Sequence, residues 1–492
     1  MTGPLPLYRP DQVRAMDEYA IGKLGIPAYE LMCRAGAAAF RHLRERWPAA
    51  ARIGVACGPG NNGGDAYVLA RLAREAGLEV QALMPPGGHP RTPAARQALA
   101  DWRAAGGRVL AFDGSLPEAD LWVDGLYGIG LSRPPSDAAC SIIERMNASR
   151  RPVLALDVPS GLDADTGHAP GTAVQAELTV SFIGGKRGCH TGAGLDYAGK
   201  VVIEPLQLPD EVFVRVSPAA WWARAGDLGT WLGPRHANAH KGEHGHVLCV
   251  GGEVGMGGAV RLCAEAALRT GVGLASVATR TAGVAALVAA RPEAMTHAVE
   301  DAAALVPLLE RADVVAVGPG LGQGAWGRSL LEAALASGKP VVLDADALNL
   351  LATRPGPLPQ AILTPHPGEA GRLLGIASGT VQADRFAAAE ALVQRYRCVV
   401  VLKGAGTIVA APGEVPTVIG AGNPGMATGG MGDLLSGVIA ALRAQHLPAY
   451  FAAVAGALLH AAAGDEAARI GGERGLLPSD LFPHLRRMAN PE

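Results

Sequence analysis

The chain has 492 residues, which is too long for one ordinary hydrophobic core, so two or three domains are expected. Its 43 Lys and Arg residues nearly balance 45 Asp and Glu residues, and this balance does not favour nucleic acid or a membrane surface as a partner. The seven cysteines are scattered without a CxxC pair, and no leader-like segment or run of about twenty apolar residues occurs. We therefore expect a cytoplasmic protein with free thiols.

Apolar runs alternate with helical patterns through the first part of the chain. The run RIGVAC ends in GPGNNGGDA and a helical pattern, and the series continues with LEVQALM, a helical stretch over 92–106, RVLAF, LWVDG, PVLALDVPSG and ELTVSFIG. Apolar runs without polar alternation are typical of strands buried on both faces, and strands that alternate with helices predict a parallel sheet. Residues 1–212 are therefore predicted to form a Rossmann-like α/β domain that begins with one or two helices.

The alternation stops near residues 205–233, where prolines, tryptophans and polar residues mix without a period. We place the domain boundary there and predict a linker over 213–224. A second strand–turn–helix series follows over 225–492, with HVLCVGG, a helix over 258–271, LASVAT, DVVAVGPGLG, PVVLDADALNLL, AILTPHPGEA, CVVVLKGAGTIVAAPG and MGDLLSGVIAALRAQ. The second domain is therefore α/β as well.

Three polar clusters of the first domain each follow a predicted strand: residues 61–65, Asp124 with 128–134, and Asp157 with Ser160. In an open parallel sheet the ligand crevice lies at the carboxyl ends of the strands, so the three clusters should meet. The glycines of GPGNNGGD permit tight turns and close approach of a ligand, and the helix that follows attracts phosphate. Alternatively, NNGGD taken alone is only a helix-entry turn.

The side chains of Asn62, Asp124 and Ser160 offer only oxygen ligands. Such a set suits a hard cation better than zinc and would fit a monovalent ion, although the spacing does not identify the ion. Asp157 is the best acid/base candidate, because it stands at a strand end and a proline two residues later fixes the loop.

The segments GPGNNGGDAYVLAR, VDGLYGIGLSRP and LDVPSGLDADTG resemble the family of NAD(P)H-hydrate epimerases, over roughly residues 1–212. The resemblance implies a potassium ion on Asn62, Asp124 and Ser160, and substrate contact by Asp157. It also implies that the hydrated cofactor is held by Asn61, Asn62, Gly63, Gly64, Asp65, Gly128, Ile129, Gly130, Leu131, Ser132, Arg133 and Pro134. The hydrated cofactor carries a hydroxyl at C6, beside the ring nitrogen. Its two C6 epimers can interconvert through a ring-opened or an iminium species, and either path needs one positioned carboxylate to move a proton on and off oxygen.

The segment GNPGMATGGMGDLLSG is the most informative one in the second domain. Its glycines precede a helix predicted to begin near Asp433, where free N–H groups can receive phosphate oxygens. A carboxylate at this place can accept a proton from a hydroxyl that attacks a phosphoryl group. Lys241 and the GGEVGMGGA loop add a glycine-lined edge, and Asp344 and Asp346 end a predicted strand. KGAGT is not a Walker A motif, so a P-loop fold is disfavoured.

The segments HANAHKGEHGHVLCVGG, GPGLG, VLDADALNLL, LTPHPGEAGRLLG, LKGAGT and GNPGMATGGMGDLLSGVIAAL resemble the ribokinase-like superfamily, and within it the NAD(P)H-hydrate dehydratases. The resemblance covers about residues 225–492. It implies that Lys403, Gly404, Ala405, Gly406, Thr407 and Gly432 bind the nucleotide. It assigns the hydrated nicotinamide to Ala259, to Gly320 or Gly322, to His366 and to Asp433.

The resemblance also implies a mechanism for this domain. Asp433 takes the proton of the C6 hydroxyl, which attacks the terminal phosphate of the nucleotide, and phosphate then leaves more readily than water would, with Mg²⁺ expected to assist. We expect ADP as co-substrate, giving AMP and phosphate, because fused chains of this kind resemble bacterial ones. Hydrates of NADH and of NADPH are both candidate substrates.

Both resemblances together predict a bifunctional enzyme that epimerises the R and S hydrates and dehydrates the S form. We expect it to be a homo-oligomer, with a tetramer favoured. For the second domain, the alternative is a kinase for a small vitamin precursor such as hydroxymethylpyrimidine, which would form a stable phosphorylated product instead of inorganic phosphate. For the first domain, the alternative is a non-catalytic binding module.

Overall fold

The computed structural model describes residues 3–130 and 135–491. The chain divides into two compact units, one of residues 6–220 and the other of residues 1–5 with 221–492. Within the described ranges, no helix is long and apolar enough to cross a membrane.

The unit of residues 6–220 is built on a parallel sheet with the strand order β4-β3-β2-β5-β6-β7-β9, beside a short parallel pair, β1 with β8. Its strands are β1 Leu5–Tyr8, β2 Arg52–Cys57, β3 Glu79–Met84, β4 Val109–Ala111, β5 Leu121–Gly125, β6 Val153–Leu156, β7 Leu178–Phe182, β8 Gly185–Lys186 and β9 Lys200–Glu204. Its helices are α1 Pro10–Gly22, α2 Ala28–Arg46, α3 Asn61–Glu75, α4 Pro93–Ala104, α5 Asp137–Ala148, α6 Gly194–Tyr197 and α7 Asp210–Val214.

The strands of this sheet are buried on both faces, as their unbroken apolar character predicts. In β6, Leu154 and Leu156 pack in one hydrophobic cluster, whereas Val153 and Ala155 pack in another cluster with residues of α5. Successive side chains of a strand point to opposite faces, so both faces are covered. Because β2, β5 and β6 are adjacent and parallel, their carboxyl ends lie side by side.

The second unit has a mixed sheet with the order β13-β12-β11-β14-β15-β16-β17-β18-β19-β10; it is parallel from β13 to β17, and β18 is antiparallel to both of its neighbours. Its strands are β10 Ala220–Ala223, β11 His246–Val250, β12 Leu274–Thr279, β13 Met295–Ala298, β14 Val314–Val317, β15 Val341–Leu343, β16 Ala361–Leu363, β17 Val399–Leu402, β18 Ile408–Ala410 and β19 Thr417–Ile419. Its helices are α8 Gly257–Arg269, α9 Thr281–Ala290, α10 Ala302–Arg311, α11 Ala325–Ala336, α12 Ala345–Leu351, α13 Pro367–Leu374, α14 Ser378–Ala383, α15 Arg385–Tyr396, α16 Met431–Ala444, α17 Ala449–Gly471 and α18 Phe482–Met488.

The segment expected as a linker, residues 213–224, carries regular structure. It contains the last residues of α7 and the strand β10, which pairs in parallel with β19 through Trp221, Trp222 and Ala223. The backbone groups of the two tryptophans and the alanine form hydrogen bonds in the sheet, whereas those of a solvated linker would form hydrogen bonds with water.

Helices α8 and α16 approach each other at Gly437. A β-carbon at this position would lie 2.0 Å from the carbonyl oxygen of Cys263 and 3.1 Å from Cβ of Ala266. We expect Gly437→Ala to lower the free energy of unfolding by about 1–3 kcal/mol, because the helices must move apart, although alanine is the better helix former. Urea unfolding of the two proteins measures this difference.

Gly471→Ala is the matched control for this prediction. Gly471 is the last residue of α17, and a β-carbon there meets no atom within 4 Å. The propensity gain is then unopposed, so this variant should be as stable as the parent or more stable. Equal effects of the two substitutions would contradict the packing explanation.

Candidate active sites

The polar clusters of the first domain meet at the carboxyl ends of β2, β5 and β6. Asn62, in the first turn of α3, donates from Nδ2 to the carbonyl of Leu156 over 3.1 Å. A β-carbon on Gly128 would lie 2.7 Å from Oδ2 of Asp157 and 3.4 Å from Cγ of Asn62. The segment after β5 therefore passes directly over Asn62 and Asp157. These three residues lie close together, as the position of each after a strand predicts.

Asp124 and Ser160 form a buried hydrogen-bonded pair in this crevice. The hydroxyl of Ser160 donates to Oδ1 of Asp124 over 2.7 Å, and its backbone N–H donates to Oδ2 over 2.8 Å. Burial raises the pKa of Asp124 to about 6, against the hydrogen bonds that favour its ionised form. The side-chain oxygen of Asn62 is also buried and has no hydrogen-bond partner among the described residues.

The unpaired amide oxygen of Asn62 and the buried carboxyl of Asp124 fit a hard monovalent cation. Such an ion would be bound by the amide oxygen and would neutralise the carboxylate. The residues that would hold such an ion are Asn62, Asp124 and Ser160. A bound cation there would tie the end of β5 to the start of α3.

Asp157 is held in place by its backbone and by donors around its carboxylate. Its φ is +67°, in the left-handed region that non-glycine residues rarely occupy. The ammonium of Lys186 forms an ion pair with Oδ1, and the N–H of Ile129 donates to Oδ2 over 3.1 Å. Strain of this kind persists where the surrounding structure over-determines it, which is common at functional sites.

Lys186 is a residue of this site that the sequence did not indicate. Its side chain has no exposed surface, and Nζ also donates to the carbonyl of Phe182 over 2.6 Å. A lysine is almost never fully buried unless it is paired. Its signal in the sequence is weak, because the segment SFIGGKRG places it beside a second basic residue, as in an exposed turn.

The cluster at residues 61–65 opens α3, whose first residue is Asn61. Gly63 is required by the packing of the chain on itself, since a β-carbon there would lie 1.9 Å from the carbonyl oxygen of Gly58. Asn61 accepts from the hydroxyl of Thr92 over 2.6 Å, and Asp65 is buried. Ile129 and Gly130 follow Gly128, whereas the expected binding residues Leu131, Ser132, Arg133 and Pro134 lie outside the described residues.

The second site lies at the N-terminus of α16. The helix begins at Met431, two residues before the predicted start, after Gly430 with a φ of +93°. A β-carbon on Gly432 would lie 3.1 Å from Nζ of Lys403 and 3.2 Å from Oδ2 of Asp344. The absence of a side chain at 432 therefore lets the lysine of the KGAGT segment reach the first turn of the helix, beside Asp433.

Asp344 and Lys403 form the fixed charges of this site. Nζ of Lys403 lies 2.6 Å from Oδ1 of Asp344, and the hydroxyl of Ser436 donates to Oδ2 over 2.9 Å. Burial opposes the ionisation of Asp344, yet Lys403 and the hydroxyl donors hold its pKa below the usual value. Asp344 comes directly after β15, at the N-cap of α12, and stays anionic at neutral pH.

Asp433 has the opposite environment. Burial and repulsion from Asp344 raise the pKa of Asp433 to about 7, and Asp346 and Glu369 add to this effect against the attraction of Lys403. A carboxyl with such a pKa can take up and release a proton near neutral pH, as a general base must.

The carboxyls around Asp433 also fit a magnesium ion. Mg²⁺ is usually bound by one or two carboxylates together with the phosphates of a nucleotide, instead of by an all-protein cage. The described residues contain no cluster of three metal-binding side chains, so the ion would be bound jointly by carboxylates and by the phosphates of the nucleotide. Asp344 and Asp346, the carboxylates next to Asp433, are the two that would share the ion with the nucleotide.

His366 caps the helix α13. Its Nδ1 accepts from the N–H of Gly368 over 3.0 Å, and Glu369 accepts from its backbone N–H over 2.9 Å. Partial burial and the charges of Lys403 and Arg372 lower the pKa of His366, so the ring is neutral at pH 7. Half of the side chain remains exposed. The histidine thus has a structural role at the helix start, and its Nε2 lies 3.4 Å from Oε1 of Glu369.

The expected hydrate contacts Ala259 and Gly320 lie side by side, since a β-carbon on Gly320 would be 3.3 Å from Cβ of Ala259. Gly322 donates its N–H to Oδ2 of Asp346 over 2.9 Å. This bond connects the GPGLG loop to the start of α12, two residues after Asp344. The GPGLG loop and the N-terminus of α12 are therefore held at the same edge of the sheet.

The other residues of KGAGT form the turn between β17 and β18. Thr407 donates its hydroxyl to the carbonyl of Gly404 over 3.0 Å, and Gly404 has a φ of +134°. Ala405 and Gly406 complete the turn. Ser436 and Glu369 also belong to this site, and Glu369 lies 3.8 Å from Nζ of Lys403. Both lie in segments quoted from the sequence, but neither was assigned a role of its own.

Two family models match the chain. One, described as NAD(P)H-hydrate dehydratase, matches residues 247–487, and the other, described as YjeF-related protein N-terminus, matches residues 28–188. The dehydratase match runs from within β11 to within α18 and so includes Asp344, Lys403 and Asp433. The other match contains Asn62, Asp124 and Asp157.

Relatives of known function match over the full length. The chain is 49% identical over 486 residues to the bifunctional NAD(P)H-hydrate repair enzyme Nnr of Coxiella burnetii, with 99% of each chain covered. It is 45% identical over 490 residues to the enzyme of the same name from Escherichia coli, with 99% of this chain and 95% of that chain covered.

Solved structures match the second unit. A ribokinase-like superfamily protein from Enterococcus faecalis superposes with a TM-score of 0.51 and 30% identity, covering 55% of this chain and 94% of that one. The predicted order of a Rossmann-like and a ribokinase-like domain is thereby confirmed. From the full-length identity and the two family models together, the chain belongs to the family of bifunctional NAD(P)H-hydrate repair enzymes.

Proposed function

We propose that the second domain, residues 225–492, dehydrates the S epimer of NAD(P)H hydrate at the expense of ADP, giving AMP and phosphate. The observation that carries the proposal is the placement of Asp433. Its carboxyl has a pKa of about 7 and stands in the first turn of α16, beside the fixed cation Lys403 and the glycine at 432.

The chemistry follows from these charges. Asp433 accepts the proton of the C6 hydroxyl as the oxygen attacks the terminal phosphorus, and the bond from that phosphorus to the bridging oxygen breaks. Lys403 and the N–H groups at the start of α16 stabilise charge on the transferred phosphoryl group, for which Mg²⁺ supplies further neutralisation when bound. The ring nitrogen then expels phosphate from C6, and loss of a C5 proton restores the dihydronicotinamide.

In this proposal the nucleotide contacts are Lys403, Gly404, Ala405, Gly406, Thr407 and Gly432. The hydrated ring contacts Ala259, Gly320 or Gly322, His366 and Asp433. The turn after β17 supports the first set, because its lysine reaches Gly432. The proximity of Ala259 to Gly320 supports the second.

For the first domain, residues 1–212, we propose epimerisation of the R and S hydrates. Asp157 moves the hydroxyl proton, and a potassium ion on Asn62, Asp124 and Ser160 would fix the crevice. The support is the orphaned oxygen of Asn62 and the strained, ion-paired carboxylate of Asp157. Hydration of the cofactor gives both epimers, so exchange makes the whole pool available to the dehydratase.

The test supplies the purified protein with a mixture of both hydrate epimers and either ADP or ATP. We expect complete recovery of reduced cofactor, seen by its absorbance, with one inorganic phosphate released per cofactor and a faster reaction with ADP. A stable phosphorylated product without phosphate release would indicate the rival small-molecule kinase. Recovery that stops at the S fraction would leave the first domain without epimerase activity.

We further propose a cytoplasmic homo-oligomer, with a tetramer favoured. The seven cysteines are all free, and Sγ of Cys249 lies 3.6 Å from Sγ of Cys263 without a bond, which supports a reducing compartment. Size-exclusion chromatography with light scattering tests the assembly, and a monomeric mass would contradict it.

A further inference from the structure

Two buried carboxyls of the first domain lie within electrostatic range of one buried cation. The ammonium of Lys186 is completely enclosed, and it is bonded to Oδ1 of Asp157 and to the carbonyl of Phe182. The second carboxyl, that of Asp65, lies on α3 with 8% of the residue exposed. A single cation can neutralise only one of two nearby carboxylates, so the other favours its protonated form.

The hydrogen bonds decide which carboxyl is ionised. Besides the ammonium, Asp157 receives the N–H of Ile129 over 3.1 Å and that of Phe182 over 3.5 Å, and donors of this kind stabilise an anion. In residues 3–130 and 135–491, no N–H or O–H donates to the carboxyl of Asp65. The environments of the two carboxyls are therefore opposite.

The charges that face Asp65 act in the same direction. Burial, repulsion from Asp157 and repulsion from Asp17 on α1 raise the pKa of Asp65 well above its usual value, and Lys186 opposes this only in part. A protonated carboxyl near an ion-paired carboxylate is a usual arrangement of an acid and a base.

We propose that Asp65 is the general acid of the epimerase site and that Lys186 is the positioning residue that keeps Asp157 anionic as its base. The inference rests on the proposed epimerase function. Asp157 takes the proton of the C6 hydroxyl, the C6–N1 bond breaks with its electron pair going to N1, and N1 receives the proton of Asp65. The C6 aldehyde then turns its other face, and the same transfers in reverse close the ring as the opposite epimer.

The test is Asp65→Asn in the full-length protein, assayed for epimer exchange by chromatography of the two hydrates. Asparagine has the shape of a protonated aspartate but no transferable proton, so we expect kcat to fall by about 100-fold or more, with KM changed less than about threefold. Asp113→Asn, an exposed aspartate of the same domain, is the matched control and should exchange at the parent rate. Parent-like exchange by Asp65→Asn would overturn the proposal.

An infrared difference spectrum between the parent and Asp65→Asn gives a second reading that does not depend on turnover. At neutral pH the parent should show a protonated-carboxyl band that the variant lacks, and a carboxylate band in its place would overturn the proposal. Lys186→Met should lower kcat, and Lys186→Arg should restore part of it, because the cation and not the packing volume is required. If the parent itself does not exchange epimers, the proposed function of the first domain fails independently of Asp65.

Discussion

Asp433→Asn should abolish recovery of reduced cofactor while the exchange of hydrate epimers continues at the parent rate. The substitution removes the only group in the first turn of α16 that can take the hydroxyl proton, and loss of a general base costs about 10²–10⁴-fold in rate. Phosphate release from ADP with the S hydrate, followed together with absorbance, measures the loss. Recovery at the parent rate would remove Asp433 from its assigned role.

The pH dependence of the parent gives an independent check on the same residue. The pKa of Asp433 is about 7 in the folded chain, so kcat/KM for dehydration should rise with pH to a plateau above about 7, where the base is ionised. Because the folded pKa lies above the usual 3.8, the protonated carboxyl stabilises the fold at low pH, and this contribution is lost as pH rises towards 7. Asp433→Asn should therefore have a Tm at pH 8 that is no lower than that of the parent.

Asp301→Asn is the matched control for this domain. Asp301 is exposed and caps α10 by accepting the N–H of Ala304 over 2.9 Å, a bond that asparagine can also accept. Its dehydratase rate and its Tm should equal those of the parent. A loss in this variant as large as that in Asp433→Asn would show that the assay reports folding instead of proton transfer.

Asp157→Asn should have the opposite phenotype. Without a carboxylate at this position the hydroxyl proton of the hydrate has no acceptor, so epimer exchange should fall by about 10²–10⁴-fold. Dehydration of pure S hydrate should continue at the parent rate. With a mixed substrate, recovery of reduced cofactor should stop when the S epimer is consumed, and chromatography should show the R epimer left over.

A double variant separates this interpretation from a loss of folding. Asp157→Asn leaves the ammonium of Lys186 buried without its counter-ion, which is costly in the interior. Asp157→Asn with Lys186→Met removes both charges and should recover stability but not exchange. Recovery of exchange in the double variant would contradict the role of Asp157 as the base.

The fold was accessible from the sequence because its strands are unbroken apolar runs that end in glycine or aspartate. The strands β18 and β19 and the strand β10 were less accessible, since each is only three or four residues long and a period needs a longer window. Four residues of the predicted linker, Ala220–Ala223, form the strand β10. Tertiary pairing supplied the structure that the local pattern did not show.

The candidate sites were accessible to the extent that their residues follow strands or stand in glycine loops. Asp157 and Asp433 have such places, and the structure surrounds each with the charges that acid/base chemistry needs. Lys186 and Ser436 do not have such places. In the sequence, Lys186 is 29 residues from Asp157 and Ser436 is 92 residues from Asp344, so only the folded chain brings each pair together.

The division of one chain into two units has a consequence for the cell. Because both catalysts are translated as one polypeptide, they are always present in equal numbers, whatever the level of expression. The ratio of the maximal rates of epimer exchange and of dehydration is then set by the rate constants of the two sites. Natural selection can adjust this ratio by substitution in the coding sequence, but not by changing gene dosage.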